Sequence, residues 1–391
     1  MNIFSRFYQR IFPNKHPLPA GFYPYQSPPG AARPVRLHLR LEADGHGLLV
    51  LNASTVMHLN QTAAEMIYHF IKGTPENLAV AEMTTRYRVD GKQLEQDYKT
   101  LLEKLQTLMD TPDLEPVTYL DFDRQTPYEA DISAPYRLDC ALTYRTEDEG
   151  LGIAPQERVK RELTTEEWQI MLDKAFKAGI PQVIFTGGEP TLRPDLITLL
   201  AYGEKLGLVT GLLTGGARLS DPKYLHSLLQ NGLDHILLVL EPDHEEAWEA
   251  LKDILAEDIF VAVHLTVREG NAAQIMEMLE KLAKMGVKAV SLSAAAPELA
   301  EDLENARRAA SGLEMSLVWD LPVPYSVHNP VALEMQAMAG EDERLTDGAG
   351  KAWLYVEPDG DVLPAQGRAD QVMGSLLMDE WPAIWARRPQ K

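Results

Sequence analysis

Residues 183–196 read VIFTGGEPTLRPDL, an apolar run that stops at two glycines, a glutamate and a proline before an apolar helical pattern resumes. The reading is strand, tight turn, helix, with Gly187 and Gly188 supplying the turn. Two glycines also let a ligand come close to the backbone, and a carboxylate beside them can hold an ammonium group. A simpler reading gives the glycines to the turn alone and sets Glu189 to cap the next helix. By itself the pair is weak evidence, because any tight βα turn can use it.

Working outward, the same rhythm repeats. RLDCALTY (137–144) is a strand, and TTEEWQIMLDKAFKAG (164–179) is a helix with a capping box from Thr164 to Glu167. LVTGLLTGG (208–216), DHILLVLEP (234–242), IFVAVHLTV (259–267) and KAVSLSA (288–294) bring the count to six strands, separated by helical patterns. Buried parallel strands covered by helices follow from that alternation. The fold class is α/β. Six units suit a partial (βα)6 TIM-type barrel over residues 137–314, with an open doubly wound sheet as the alternative. In both, function sits at the C-terminal ends of the strands.

Residues 1–34 combine an amphipathic segment with a proline- and glycine-rich linker. Ile3, Phe4, Phe7, Tyr8, Ile11 and Phe12 recur at helical spacing, with Arg6 and Arg10 between them. That stripe suits a helix packed on protein, and also a peripheral membrane contact through residues 3–12. It lacks the apolar core and cleavage site of a secretory signal. Residues 35–112 read as a winged-helix-like α+β domain. Two strands flank the turn ADGHG, and three helices follow, the first with Asn60 as N-cap and Gly73 as stop. Residues 113–136 are a linker. Residues 315–391 form a small C-terminal extension with a β-hairpin turned at Glu357-Pro358-Asp359-Gly360 and a terminal helix in DEWPAIWARR.

With the six-unit pattern around it, TGGEP (186–190) resembles the GGEP motif of the radical SAM enzymes, whose partial (βα)6 barrel binds S-adenosylmethionine there. The resemblance covers roughly residues 137–312 and implies Gly187, Gly188, Glu189, Pro190 and Thr214 as cofactor-binding positions. LLVLNASTVMHLNQTAAEMIYHFIKG (48–73) with DYKTLLEKLQTL (97–108) resembles the RiPP recognition element of the pyrroloquinoline-quinone chaperone family. That resemblance implies binding of a precursor peptide's leader by strand addition. A domain that merely docks on its neighbour is the other reading. VEPDGDVLPAQG (356–367) resembles the start of the SPASM/twitch auxiliary-cluster region.

The resemblance also implies three cysteines spaced CxxxCxxC after the first strand, holding a [4Fe–4S] cluster. The aligned positions are Thr146, Gly150 and Ile153, and Ala365 stands where related tails often carry a cysteine. Cys140, the one cysteine of the chain, falls inside the first strand and reads as core. The family's TNG is here Thr214-Gly215-Gly216, and its hydroxyl position on the fourth strand is Val239. No iron–sulfur cluster is expected from this ligand set, and no metal-ligating or catalytic residue is assigned. Retention of Glu189 leaves S-adenosylmethionine binding open.

Composition narrows the partners. Lysines and arginines number 37 against 58 acids, a net charge of -21 that repels phosphate backbones and argues against nucleic acid. A single cysteine excludes an internal disulfide and fits a cytoplasmic chain, peripheral at the inner membrane surface if residues 3–12 touch lipid. HExxH, GxSxG and P-loop patterns are absent from the sequence. Asp139, His264, Thr266, Arg268 and Glu269 lie where a barrel could host acid–base chemistry, although a strand histidine is usually packed and satisfied.

Three expectations follow. The first is a non-catalytic binding partner or scaffold in peptide or cofactor maturation, holding a peptide and docking a competent radical SAM enzyme. The second is a cluster-free enzyme that binds S-adenosylmethionine or another nucleotide at the barrel mouth and does polar chemistry. The third is a membrane-associated structural component. The first leads, because the fold pattern is kept while every cluster-ligand position is changed.

Overall fold

The computed structural model describes residues 18–28, 35–52, 55–87, 89–111, 132–146, 159–318, 321–323 and 348–389. The segment 3–12, residues 113–131 and the positions Gly150 and Ile153 lie outside them. The chain divides into two compact units, Met1–Ser133 with Phe176–Pro181, and Ala134–Ala175 with Gln182–Lys391.

The first unit is an antiparallel sheet in the order β1 (Gly21–Gln26), β2 (Arg36–Leu41), β3 (Gly47–Leu51), β4 (Thr55–Leu59). Three helices follow: α1 (Gln61–Ile71), α2 (Glu76–Arg86) and α3 (Gly91–Asp110). Alternation sends Leu37, Leu39 and Leu41 of β2 and Leu49 and Leu51 of β3 to one face, where they join Ile67, Leu105 and Leu108 in a core. Asn60 caps α1 by accepting from the Ala63 N–H at 2.9 Å, and Gly73 ends it at φ +64°.

Two strands here depart from the sequence reading. The supposed linker contains β1, which Pro24 disguises. Proline is tolerated in β1 because β1 is an edge strand, paired only with β2. The second, β4, pairs antiparallel with β3, and Asn52 just after β3 takes φ +49°.

In the second unit, six strands carry the alternating pattern: β5 (Arg137–Thr143), β6 (Gln182–Gly187), β7 (Val209–Thr214), β8 (Leu233–Val239), β9 (Phe260–Val267) and β10 (Ala289–Ala294). The intervening helices are α4 (Thr165–Ala178), α5 (Leu196–Leu206), α6 (Pro222–Gln230), α7 (Glu245–Ala256) and α8 (Ala272–Met285), with α9 (Ala300–Gly312) after β10. Each strand from β5 to β10 lies parallel to its sequence neighbour and beside it. A doubly wound sheet would reverse its order at a switch point. This one does not, so the run winds one way, as a partial barrel. One face gathers Ile184, Leu213, Leu237, Ala262 and Ala289, with Val318 and Leu321 packed against them. The predicted capping box is present: Glu167 N–H donates to Thr164 Oγ1 at 3.3 Å, and Thr164 N–H to Glu167 Oε2 at 2.9 Å.

The C-terminal extension is hydrogen-bonded into the same sheet. Strand β11 (Ser316–Leu317) continues the sheet beside β10, and β12 (Trp353–Val356) joins it beside β5, both parallel. Then β13 (Asp361–Leu363) and β14 (Gly374–Ser375) add antiparallel, and α10 (Trp381–Ala386) follows. The residues WLYV of β12 are all buried, and an apolar run of that kind needs cover on both faces. The turn at 357–360 forms as read, with Gly360 at φ +94° and its N–H bonded to the Glu357 carbonyl at 2.8 Å.

Candidate functional site

Strand β6 ends at Gly187 with φ +129°, where a Cβ would lie 2.0 Å from the Thr143 carbonyl oxygen. At Gly188 a Cβ would lie 2.2 Å from the Arg145 carbonyl oxygen. The Gly188 N–H donates to Thr143 O and the Glu189 N–H to Arg145 O, both at 2.8 Å. The pair of glycines is therefore required by the chain's own backbone leaving β5. The close approach on that side comes from the root of the loop after the first barrel strand.

Glu189 is 5% exposed, and its carboxylate faces donors from two βα turns. Oε1 accepts from the Thr191 N–H at 2.9 Å, from Thr191 Oγ1 at 2.5 Å and from Thr214 Oγ1 at 2.9 Å. Oε2 accepts from the Gly215 N–H at 2.8 Å, with Thr214 Oγ1 at 3.0 Å. Four donor groups occupy a carboxylate that has about four lone-pair directions. Pro190 opens a short 3-10 turn, Pro190–Leu192, and Glu189 caps that turn; the following helix α5 takes Asp195 at its N-cap instead. Glu189 and Thr214 thus converge, but on each other. Thr191 and the Gly215 amide, which the sequence did not single out, complete the knot.

Around this knot the ends of the barrel strands carry four arginines. Arg193 is buried and grips Asp195 through Nε at 2.9 Å and Nη2 at 2.7 Å, while Nη1 reaches the Leu142 and Leu163 carbonyls at 3.1 Å. Arg145 lies 3.6 Å from Glu162, and Arg268 lies 2.5 Å from Glu241. Arg218, in the 3-10 turn after β7, donates to the Thr191 carbonyl and stacks 4.3 Å over the Tyr224 ring.

The acid–base candidates do not assemble into one site. His264 is buried, with Nδ1 3.1 Å from Ser291 Oγ and Nε2 3.0 Å from Ser293 Oγ and 3.3 Å from Thr266 Oγ1. Burial lowers its pKa to about 4, so it is a neutral, hydroxyl-bonded core histidine. Asp139 is held by Arg137 at 2.7 and 3.0 Å; burial raises its pKa and the guanidinium opposes the rise. Arg268 is paired with Glu241, and Glu269 is exposed in the turn after β9. Val239 lies beside His264 in the β8–β9 register.

Cys140 is buried within β5, in register with Phe185 and Val356, and burial followed by the Asp139 charge pushes its thiol pKa well up. Thr146, half-buried, is the one aligned cluster position within the described residues. Among the described residues, no group of three or more His, Cys, Asp or Glu is placed to hold a metal ion. No described helix is long and apolar enough to cross a membrane.

Residues 138–310 match the Radical SAM superfamily. The PqqA peptide cyclase of Gluconobacter oxydans is 34% identical over 151 residues, covering 35% of this chain and 42% of that protein. The PqqA peptide cyclase of Ruegeria pomeroyi is 30% identical over 248 residues, covering 57% and 64%. The chain thus spans less than two thirds of these relatives' lengths. Among solved structures, Streptococcus suis SuiB bound to precursor peptide SuiA superposes with a TM-score of 0.55 at 14% identity, over 89% of this chain and 86% of that one. SuiB bound to S-adenosylmethionine gives 0.55 at 15% identity, with the same coverage. At these identities the likeness is one of fold, and it agrees with the partial barrel.

Proposed function

We propose that this chain, which carries a radical SAM superfamily domain, is a non-catalytic binding partner in peptide maturation. One observation carries the reading: the only thiol in 391 residues is Cys140, buried in a strand, while the aligned loop positions are Thr146, Gly150 and Ile153. A hydroxyl, a hydrogen and an isobutyl-sized side chain do not replace three thiolates on iron, so the residues present do not fit a [4Fe–4S] cluster. Reductive cleavage of a sulfonium then has no electron source within this chain, and a competent enzyme would supply the chemistry.

The peptide context is supported by relatives that are PqqA peptide cyclases and by a fold neighbour solved with a precursor peptide. Within this chain, strand β4 closes the first sheet as an edge, which suits addition of an extended peptide. S-adenosylmethionine would have to compete with four internal donors for the Glu189 carboxylate.

The test is anaerobic reconstitution with iron and sulfide of the natural chain beside a variant carrying Thr146→Cys, Gly150→Cys and Ile153→Cys. The natural chain should retain no cluster absorption after desalting, whereas the variant should gain it. A stable cluster on the natural chain would end the proposal.

A further inference from the structure

We infer that Pro24 closes one edge of the first sheet, so that an extended peptide can add as a strand at β4 alone. Both faces of that sheet are filled. Leu37, Leu39, Leu49 and Met57 enter the core on one side, and His38, Arg40, Leu48 and Val50 are buried on the other. What the sheet can still offer a partner strand is an edge, β1 or β4.

The two edges differ in the groups they present. In an antiparallel ladder, alternate residues turn their N–H and C=O toward the neighbouring strand, and those between turn them away. The Ser27 N–H donates to the Val35 carbonyl at 2.9 Å. In the β1–β2 register, Gly21, Tyr23 and Tyr25 therefore face β2, while Phe22, Pro24 and Gln26 face outward. The central position of the outward row has no N–H to give. A strand laid along β1 would leave its own carbonyl opposite Pro24 without a donor, and the pyrrolidine ring stands where that carbonyl would approach.

Carried across the sheet, the same alternation decides β4. The Asn52 N–H donates to the Arg36 carbonyl at 2.9 Å and the Glu42 N–H to the His46 carbonyl at 2.8 Å, so Arg36, His38 and Arg40 face β3. Val50 and Leu48 answer them, and Gly47, Leu49 and Leu51 turn to β4, where Leu59, Met57 and Thr55 answer in turn. Val56 and His58 are the outward residues of β4, and each carries both an N–H and a C=O. An added strand meets an unbroken ladder at β4 and a broken one at β1. The choice of β4 deepens the peptide-binding reading proposed above and rests on it; the closure of β1 by Pro24 does not.

The experiment compares the full natural chain with Pro24→Thr and Pro24→Ala, a second copy of the chain serving as the incoming strand. Both substitutions restore the N–H, and because it points away from β2 the pairing of β1 is kept. Sedimentation velocity at rising protein concentration reads self-association, and amide hydrogen exchange at Phe22 and position 24, followed by NMR, locates it. Both variants should associate more tightly than the natural chain by about 5- to 150-fold, the range for the two hydrogen bonds that a symmetric β1 pair regains. Exchange at those amides should slow as concentration rises. Unchanged association in both variants, or a gain in Pro24→Thr without one in Pro24→Ala, overturns the inference. A capped, lysine-flanked peptide of alternating threonine and valine is then added to the natural chain, and slowed exchange at Val56 and His58 with Phe22 unaltered is expected. Slowing at Phe22 also overturns the inference. Slowing at neither strand withdraws β4 and the peptide reading with it, whereas the Pro24 comparison decides the β1 edge by itself.

Discussion

Replacing Glu189 by glutamine separates a carboxylate that holds the barrel together from one reserved for a ligand. The native group accepts from two backbone N–H donors, Thr191 on Oε1 at 2.9 Å and Gly215 on Oε2 at 2.8 Å, and from the Thr191 and Thr214 hydroxyls. Glutamine has one acceptor oxygen. Whichever way its amide is turned, its NH2 faces one of the two backbone donors, and a hydroxyl can reorient but a backbone N–H cannot.

Leaving that buried donor unpaired costs about 1–3 kcal/mol, and the remaining bonds lose charge assistance worth roughly another 1 kcal/mol. The expected loss is about 2–4 kcal/mol, or a fall of about 5–15 °C in Tm for a unit of this size. Urea denaturation followed by circular dichroism measures it. A double-mutant cycle with Thr214→Ala should show non-additivity of about 1 kcal/mol, because both changes act on the same carboxylate. A Glu189→Gln variant with unaltered unfolding would refute the reasoning and return Glu189 to a ligand.

Other perturbations bear on neighbouring parts of the account. Gly188→Ala should cost several kcal/mol, about 2–4, because its Cβ would meet the Arg145 carbonyl oxygen at 2.2 Å; thermal melting reads the loss. His264, with its pKa lowered by burial from 6.5 to about 4, contributes stability that is complete above about pH 6.5 and declines as pH falls toward 4, since only the unfolded chain takes up the proton there. Between about pH 7.5 and about pH 5 this linkage is worth about 2 kcal/mol, and urea midpoints at the two values should show that much less dependence in His264→Gln. Asn60→Ala, removing the 2.9 Å cap on the Ala63 N–H, should destabilise the first unit by about 1 kcal/mol in the same denaturation assay.

Much of the barrel was legible because its signals are local. Apolar runs ending in glycine, the Thr164–Glu167 box and the Asn60 cap each depend on a few consecutive residues. Strand β1 was hidden by Pro24, whose cost vanishes only at an edge, and edge position is a property of the assembled sheet. How the C-terminal extension attaches was not legible, because the pairing of Trp353 beside Arg137 joins residues far apart in sequence. At the site, the motif TGGEP located Glu189 but not its partners. Thr214 and Gly215 arrive from the next strand, and Thr191 looked like one more residue of the turn.

The central claim is that this barrel performs no radical chemistry of its own. Its most direct test is to incubate the anaerobically reconstituted natural chain with S-adenosylmethionine and dithionite, then quantify bound iron and 5′-deoxyadenosine on the same sample. The account predicts iron well below about four per chain and no deoxyadenosine above the protein-free control. About four irons per chain, with deoxyadenosine formed in proportion to protein, would contradict it.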